Sequence, residues 1–169
     1  MNHFKLIILT MSFLIIISCE KDDICPDSTQ TTPQLVVTFY DALAPQQSKI
    51  VESLAGYAIK DSELILIENI NGINTDSIAI PLRNDIGASN FRFIRNYSVE
   101  NNIIFGDLSH IYIDYEMTDV FISRACGFIT NYSLLSILND NYADTWITES
   151  EIVNPVVTNE NQAHVKILH

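Results

Sequence analysis

Side chains alternate strictly between apolar and polar along residues 111–117. The apolar positions are Ile111, Ile113, Tyr115 and Met117, and the polar ones are Tyr112, Asp114 and Glu116. Because successive side chains of a β-strand point to opposite faces, this pattern predicts a strand with one buried and one solvated face. Asp114 and Glu116 then share the solvated face.

Other short segments with apolar or alternating patterns recur at intervals of roughly 10–15 residues, which is typical of sandwiches and barrels. They cover residues 35–40, 50–59, 63–70, 77–82, 91–95, 120–128, 132–138 and 165–167. Residues 50–59 fit a helix face or a bulged strand, and residues 132–138 also fit either structure. Pro81 predicts a sheet edge or strand end, and Asn71-Gly72 predicts a hairpin turn. We predict an all-β fold, a single β-sandwich of immunoglobulin-like or Greek-key type with about seven to nine short strands, over residues 34–169.

Residues 1–18 have the organisation of an export signal. A start carrying Lys5 precedes a continuous apolar run over residues 6–17. Twelve residues of helix span only about 18 Å, whereas the hydrocarbon core of a bilayer is about 30 Å thick. We therefore expect a cleaved signal peptide rather than a transmembrane or core helix.

The sequence Ile16-Ile17-Ser18-Cys19 resembles a bacterial lipobox, in which a small residue precedes the cysteine that is acylated. The Lys21-Asp22-Asp23 that follows is similar to the lipoprotein export signal of Bacteroidota. These resemblances imply palmitate-type acylation at Cys19 and transfer to the exposed face of the outer membrane. A solvated charged tether would have the same composition, so the periplasmic face is the alternative. Residues 19–33 form the lipidated cysteine and its tether in this interpretation.

Two cysteines, Cys25 and Cys126, remain once Cys19 is assigned to lipidation. A pair of cysteines in an exported chain favours a disulfide, since the cell envelope is oxidising. A buried reduced Cys126 with an unpaired Cys25 is the alternative. With the disulfide formed, the extended path from Cys19 to Cys25 is only about 20 Å long, and the domain stands close to the bilayer.

The charge balance restricts the partners. Removal of the signal peptide leaves 8 basic and 21 acidic side chains, for a net charge of −13. Such a surface argues against nucleic acid, which requires clustered Lys and Arg, and against electrostatic adhesion to anionic lipid. We expect contact with the bilayer through acylated Cys19, and an outer-membrane β-barrel is the candidate protein partner.

Catalytic and cofactor motifs are absent from the sequence. It contains no GxxxxGK[ST], GxGxxG or HExxH, so we predict no cofactor, no metal site and no enzyme activity. His164 and His169 are five residues apart and would face opposite sides of a strand, which prevents joint chelation. His164 is predicted to lie at the surface, at the start of a strand.

Two patterns leave a catalytic or sugar-binding role open. The carboxylates of Asp114 and Glu116 would lie about 7 Å apart, close enough for acid–base chemistry or Ca²⁺, although a plain solvated face explains them more simply. Trp146, Tyr142 and Tyr132 could form a sugar-binding platform, although a lone Trp is more often part of the core. We predict a non-catalytic binding or accessory module, with an envelope hydrolase or carbohydrate-binding protein as the alternative.

Four segments resemble a family of Bacteroidota envelope lipoproteins that is defined only as a domain of unknown function. They are CEKDDICPDSTQTTPQLVVTFYD, SIAIPL, SRACGF and the closing HVKIL. The resemblance extends over nearly all of the chain from Cys19 onward. It implies an envelope lipoprotein with Cys25 and Cys126 as a family feature, and it supplies no activity or ligand.

Overall fold

The structure is a computed structural model that describes residues 24–140 and 145–169. The predicted signal peptide, Cys19 and the Lys21-Asp22-Asp23 sequence lie outside the described residues, as does Tyr142. Within the described residues, no helix is both long enough and apolar enough to cross a bilayer.

Ten β-strands and no helix are present in residues 24–140 and 145–169. The strands are β1 Leu35–Tyr40, β2 Val51–Lys60, β3 Glu63–Thr75, β4 Ser77–Ile80, β5 Ala88–Glu100, β6 Ile103–Ser123, β7 Gly127–Asn139, β8 Glu149–Ile152, β9 Val156–Val157 and β10 Val165–Leu168. The predicted all-β sandwich is confirmed, but its strands are more numerous and longer than expected. β6 alone runs for 21 residues. Both segments that were compatible with a helix are strands, β2 and β7.

The smaller sheet has four strands in the order β4-β1-β10-β8. β1 pairs in parallel with β10, where Val37 lies opposite Val165, and it pairs antiparallel with β4. β4 ends at Ile80, directly before Pro81, and lies at the sheet edge, as Pro81 predicted. A proline at this place costs no ladder hydrogen bond.

The larger sheet has six strands in the order β3-β2-β5-β6-β7-β9. β5 and β6 pair antiparallel in long register, with Phe91 opposite Ile111 and Arg92 opposite His110. One face of each sheet contributes to a shared apolar core, which includes Phe39 from β1 and Phe93 from β5. Each such fully buried side chain stabilises the fold by about 1.5–3 kcal/mol.

The alternation along residues 111–117 is confirmed. Ile111, Ile113 and Tyr115 are buried in the core, while Tyr112 and Glu116 are exposed. The core interpretation of two aromatic residues is also confirmed, because Trp146 and Tyr132 are only 5% and 2% exposed. Neither ring is available as a sugar-binding platform.

The hairpin turn predicted at Asn71-Gly72 is wrong, because both residues lie inside β3. Leu54 of β2 pairs with Ile73, and the next residue, Ala55, pairs with Asn71. Gly72 is therefore an extra residue in β3 with no partner of its own in β2, and its φ is +69°. Glycine adopts positive φ without steric cost, so it serves here as a bulge residue and not as a turn residue. The chain reverses instead at Asp61-Ser62, between β2 and β3.

The surface position predicted for His164 is also wrong, since its side chain is fully buried. Its backbone N–H donates to the carbonyl oxygen of Val36 at 2.9 Å. Its ring Nδ1 accepts from the backbone N–H of Val36 at 3.0 Å. His164 therefore extends the pairing of β10 with β1 by one further residue.

The chain divides into two compact units. The described part of the first unit comprises residues 24–30 and Phe121–Phe128, and it contains Cys25 and Cys126. Their sulfur atoms are 2.06 Å apart and their Cα atoms 4.9 Å apart, so the predicted disulfide is present in the structure. The second unit comprises Thr31–Val120 and Ile129–His169 and contains the whole of the main apolar core.

Candidate functional site

The outward face of the six-stranded sheet combines hydrogen-bonded polar side chains with large apolar side chains that are exposed. Its geometry follows from the strand period, because Phe91 and Phe93 point into the core and direct Asn90, Arg92 and Ile94 outward. The register with β6 then sets His110 beside Arg92, and Tyr112 beside Asn90.

Arg92, His110 and Asp140 form a continuous hydrogen-bonded chain on this face. Arg92 Nε donates to His110 Nε2 at 3.0 Å, and His110 Nδ1 lies 2.6 Å from Asp140 Oδ2. Because Nε2 accepts from a guanidinium, the proton of the neutral imidazole is on Nδ1 and is donated to the carboxylate. The backbone N–H of Asp140 also donates to the carbonyl oxygen of His110 at 3.2 Å. These contacts hold all three side chains in one orientation.

Two depressions adjoin this polar centre. The first has a volume of about 360 Å³ and is lined by Ile59, Asn90, His110, Tyr112, Leu138, Asn139 and Asp140. The second has a volume of about 230 Å³ and is lined by Tyr57, Leu64, Arg92, Ile94, Ile104, Phe105, Gly106 and Leu108. Arg92 lines the second depression and His110 lines the first, and their side chains are hydrogen-bonded to each other. We refer to the residues of both depressions together as the outer sheet face.

Large apolar side chains on the outer sheet face are open to solvent. Their exposed fractions are 44% for Leu64, 48% for Phe105, 40% for Leu108, 40% for Tyr112 and 61% for Leu138. The solvated face of an antiparallel sheet is normally polar, and clustered apolar groups around polar ones are typical of binding surfaces. The outer sheet face therefore has the composition of a contact surface.

Gly106 allows β6 to pass close to β5 beneath the second depression. It has a φ of +140°, and a Cβ there would lie 2.5 Å from Ile94 Cγ2 and 2.6 Å from the carbonyl oxygen of Arg95. Distances this short exclude any side chain at this position. Gly106 is also one of the residues that line the second depression.

The phenols around the polar centre stay protonated at physiological pH. Burial and a hydrogen bond to Tyr97, whose hydroxyl is 3.2 Å away, raise the pKa of Tyr57 to about 12. A hydrogen bond to the Asp114 carboxylate raises the pKa of Tyr112. Each phenol donates its single O–H within the protein, Tyr57 to Tyr97 and Tyr112 to Asp114. Neither is suited to act as a base near neutral pH.

Asp114 and Glu116 do not line either depression. Asp114 is half-buried and accepts a hydrogen bond from Ser136 Oγ at 2.9 Å, whereas Glu116 is exposed. This arrangement supports the simpler interpretation of a solvated strand face. Within residues 24–140 and 145–169, no group of three or more His, Cys, Asp and Glu side chains could hold a metal ion.

Sequence reasoning missed the chain formed by Arg92, His110 and Asp140. One signal was present. His110 is two residues before Tyr112 and four before Asp114, and side chains at these spacings lie on the same face of a strand, so His110 had to face outward. Asp140 carried no such signal. It is 30 residues away from His110 along the chain, and only the pairing of β6 with β7 brings the two together.

Residues 53–169 match the model of a family of unknown function, DUF6452. The chain belongs to this family. The matched residues include the whole outer sheet face and Cys126, whereas Cys19, Cys25 and β1 precede them. The predicted membership of an uncharacterised family is thus confirmed, over a shorter range than the resemblance suggested. No curated protein and no solved structure matches the chain.

Proposed function

We propose that this DUF6452 protein is an outer-membrane lipoprotein that acts as a non-catalytic binding or accessory module at the cell surface. The apolar run at residues 6–17, the lipobox-like sequence ending at Cys19 and the following Lys21-Asp22-Asp23 support export and acylation. Several acyl chains, at about 0.8 kcal/mol for each buried CH₂ group, make such attachment effectively permanent. The outer sheet face is the proposed binding surface.

The observation that carries the binding role is the exposed apolar rim around a fixed polar centre. Burying apolar surface is favourable by about 25 cal/mol per Å², so covering Leu64, Phe105, Leu108 and Leu138 would stabilise a complex. Aromatic residues and arginine are also enriched where protein interfaces carry most of their energy. A protein partner with its own apolar patch fits this surface, and an outer-membrane β-barrel is the partner we propose.

The hydrogen bonding of His110 supports binding rather than catalysis. Its Nε2 lone pair is occupied by Arg92, and its Nδ1 proton is shared with Asp140. A general base needs a free lone pair within reach of the proton that it abstracts. In this arrangement the imidazole instead connects and orients two charged side chains, and these can recognise polar groups of a partner.

Affinity capture of the tagged full-length protein from gently solubilised outer membranes tests the proposal. Wild type should capture a β-barrel protein in stoichiometric amount. Leu108→Glu places a charge on the outer sheet face and should reduce that yield at least tenfold. Leu43→Glu is the matched control, because Leu43 is 96% exposed and does not belong to the outer sheet face. The control should capture the partner at the wild-type level.

Each part of the proposal has a result that would contradict it. Equal capture by wild type and Leu108→Glu would exclude the outer sheet face as the binding surface. An empty wild-type capture would argue against an accessory role and favour a soluble ligand. Cys19→Ala should release the protein from the membrane fraction, and continued sedimentation with membranes would contradict the lipid anchor.

A further inference from the structure

Two phenylalanine rings are exposed beside the turn between β6 and β7. Phe121 and Phe128 are 56% and 66% exposed, and their ring centroids lie 5.2 Å apart. Ile24, in the same compact unit, is 82% exposed. Exposed aromatic pairs are costly in water and favourable at the boundary between headgroups and acyl chains.

A short covalent path connects this turn to the proposed lipid anchor. Cys126 lies in the turn, where its backbone N–H donates to Ser123 Oγ at 3.1 Å, and it is bonded to Cys25. Cys25 is six residues after Cys19, and a fully extended chain of this length spans only about 20 Å. The turn therefore cannot move far from the acyl chains.

The charge of the residues around the disulfide also suits a lipid surface. Residues 24–30 and 121–128 contain only Asp27 and Arg124 as charged side chains, for a net charge of zero, whereas the mature chain carries −13. An acidic surface is repelled by anionic lipid headgroups, but a neutral aromatic one is not. The two segments that the disulfide joins are thus neutral together, whereas Glu20, Lys21, Asp22 and Asp23, between Cys19 and Ile24, add a charge of −2.

We infer that the turn Phe121–Phe128 lies in the interfacial layer of the bilayer that holds the Cys19 acyl chains, with both phenyl rings inserted. The inference rests on the proposed lipoprotein and deepens it, since it gives the protein a second contact with the same membrane. An acyl anchor alone leaves a domain free to rotate about its tether. Two contacts joined through a disulfide fix which residues face the lipid.

Depth-dependent quenching tests this contact. The full-length acylated protein would be reconstituted into phosphatidylethanolamine–phosphatidylglycerol vesicles with or without brominated acyl chains. Phe121→Trp should lose at least half of its added fluorescence when bromine is present, and Phe128→Trp provides a second probe if the first disturbs folding. The native Trp146 is 5% exposed and serves as the internal baseline. Leu135→Trp is the control, because Leu135 is 60% exposed but lies outside the turn.

The outcomes separate the two proposals. Flotation with vesicles and incorporation of labelled palmitate, together with quenching at residues 121 and 128 but not at 135, would support the inserted turn. Flotation and palmitate incorporation without quenching at either ring would overturn the turn contact and leave the anchor intact. Equal quenching at 135 and at the rings would also overturn it, because the bilayer would not select the turn. Absence of both flotation and palmitate would overturn the lipoprotein proposal and this inference with it.

Discussion

At the scale of single residues, burial determines how the imidazole of His164 is protonated. The side chain is fully buried, and its Nδ1 accepts from the backbone N–H of Val36. The proton of the neutral ring is therefore on Nε2, a buried atom that has no hydrogen-bond partner in the structure. Protonation of Nδ1 would place a second donor against the Val36 N–H and break the bond.

Burial lowers the pKa of His164 below its ordinary value of 6.5, against a smaller opposing effect of Glu160. The unfolded chain then binds a proton more readily than the folded one below pH 6.5. The free energy of unfolding should therefore be highest above pH 6.5 and fall as the pH drops toward 5. Urea unfolding at a series of pH values from 8 to 5 measures this slope.

The matched variant is His164→Gln, which keeps a hydrogen-bond acceptor for Val36 but does not titrate. Between pH 6.5 and 5, the free energy of unfolding of this variant should change less with pH than that of the wild type. Burial also lowers the pKa of His169, so the double variant with His169→Gln should have the smallest slope. An unchanged slope in His164→Gln would show that this histidine does not couple folding to pH.

At the scale of elements, two-residue turns connect two of the hairpins of the larger sheet. Asp61 and Ser62 connect β2 to β3, and Asn101 and Asn102 connect β5 to β6. All four residues have positive φ, between 50° and 69°. Type I′ turns require positive φ at both positions and match the twist of the flanking strands. The side chain of Ser62 makes this conformation less favourable than glycine would.

Ser62→Gly should therefore stabilise the protein, by about 0.5 kcal/mol after the greater flexibility of glycine in the unfolded chain is subtracted. Ser62→Val should destabilise it by about 1–2 kcal/mol, because a β-branched side chain tolerates positive φ poorly. Urea unfolding gives both values. Ser133→Gly is the control within β7, where glycine should cost about 0.5–1 kcal/mol. A loss of stability in Ser62→Gly would contradict the turn assignment.

The turns also show what sequence reasoning could and could not predict. The faces of residues 111–117 were predictable, because side-chain direction in a strand depends only on local geometry. The Asn71-Gly72 dipeptide was a stronger turn signal than Asp61-Ser62 and was misleading, since β3 uses the positive φ of Gly72 for a bulge. Register between distant strands was not predictable, and the pairing of His110 with Asp140 depends on it.

At the scale of the whole molecule, the fold depends on residues that precede the family match. The match begins at Ser53, but β1 lies between β4 and β10 in the four-stranded sheet. Val37 and Phe39 of β1 are almost completely buried. A chain limited to residues 53–169 would lack β1, the strand with which both β4 and β10 pair. The folding unit therefore begins before the matched residues.

The disulfide acts at this same scale, because it closes a loop across most of the chain. Cys25 and Cys126 are 101 residues apart. In the chain-entropy model, closing a loop of about 100 residues restricts the unfolded chain enough to contribute about 4.7 kcal/mol, and measured contributions are typically 2–4 kcal/mol. We expect the Cys25→Ser, Cys126→Ser double variant to lose about 2–4 kcal/mol of unfolding free energy in urea.

A reductant provides the matching control for this prediction. Wild type treated with a phosphine reductant should unfold at the urea concentration of the double variant, whereas the double variant itself should not respond. The oxidised protein should also have the smaller denaturant m-value, because its cross-linked unfolded state exposes less surface than a linear chain does. Equal stability with and without the bond would mean that the cross-link does not restrict the unfolded chain. The role of the disulfide would then be limited to holding residues 24–30 at the β6–β7 turn.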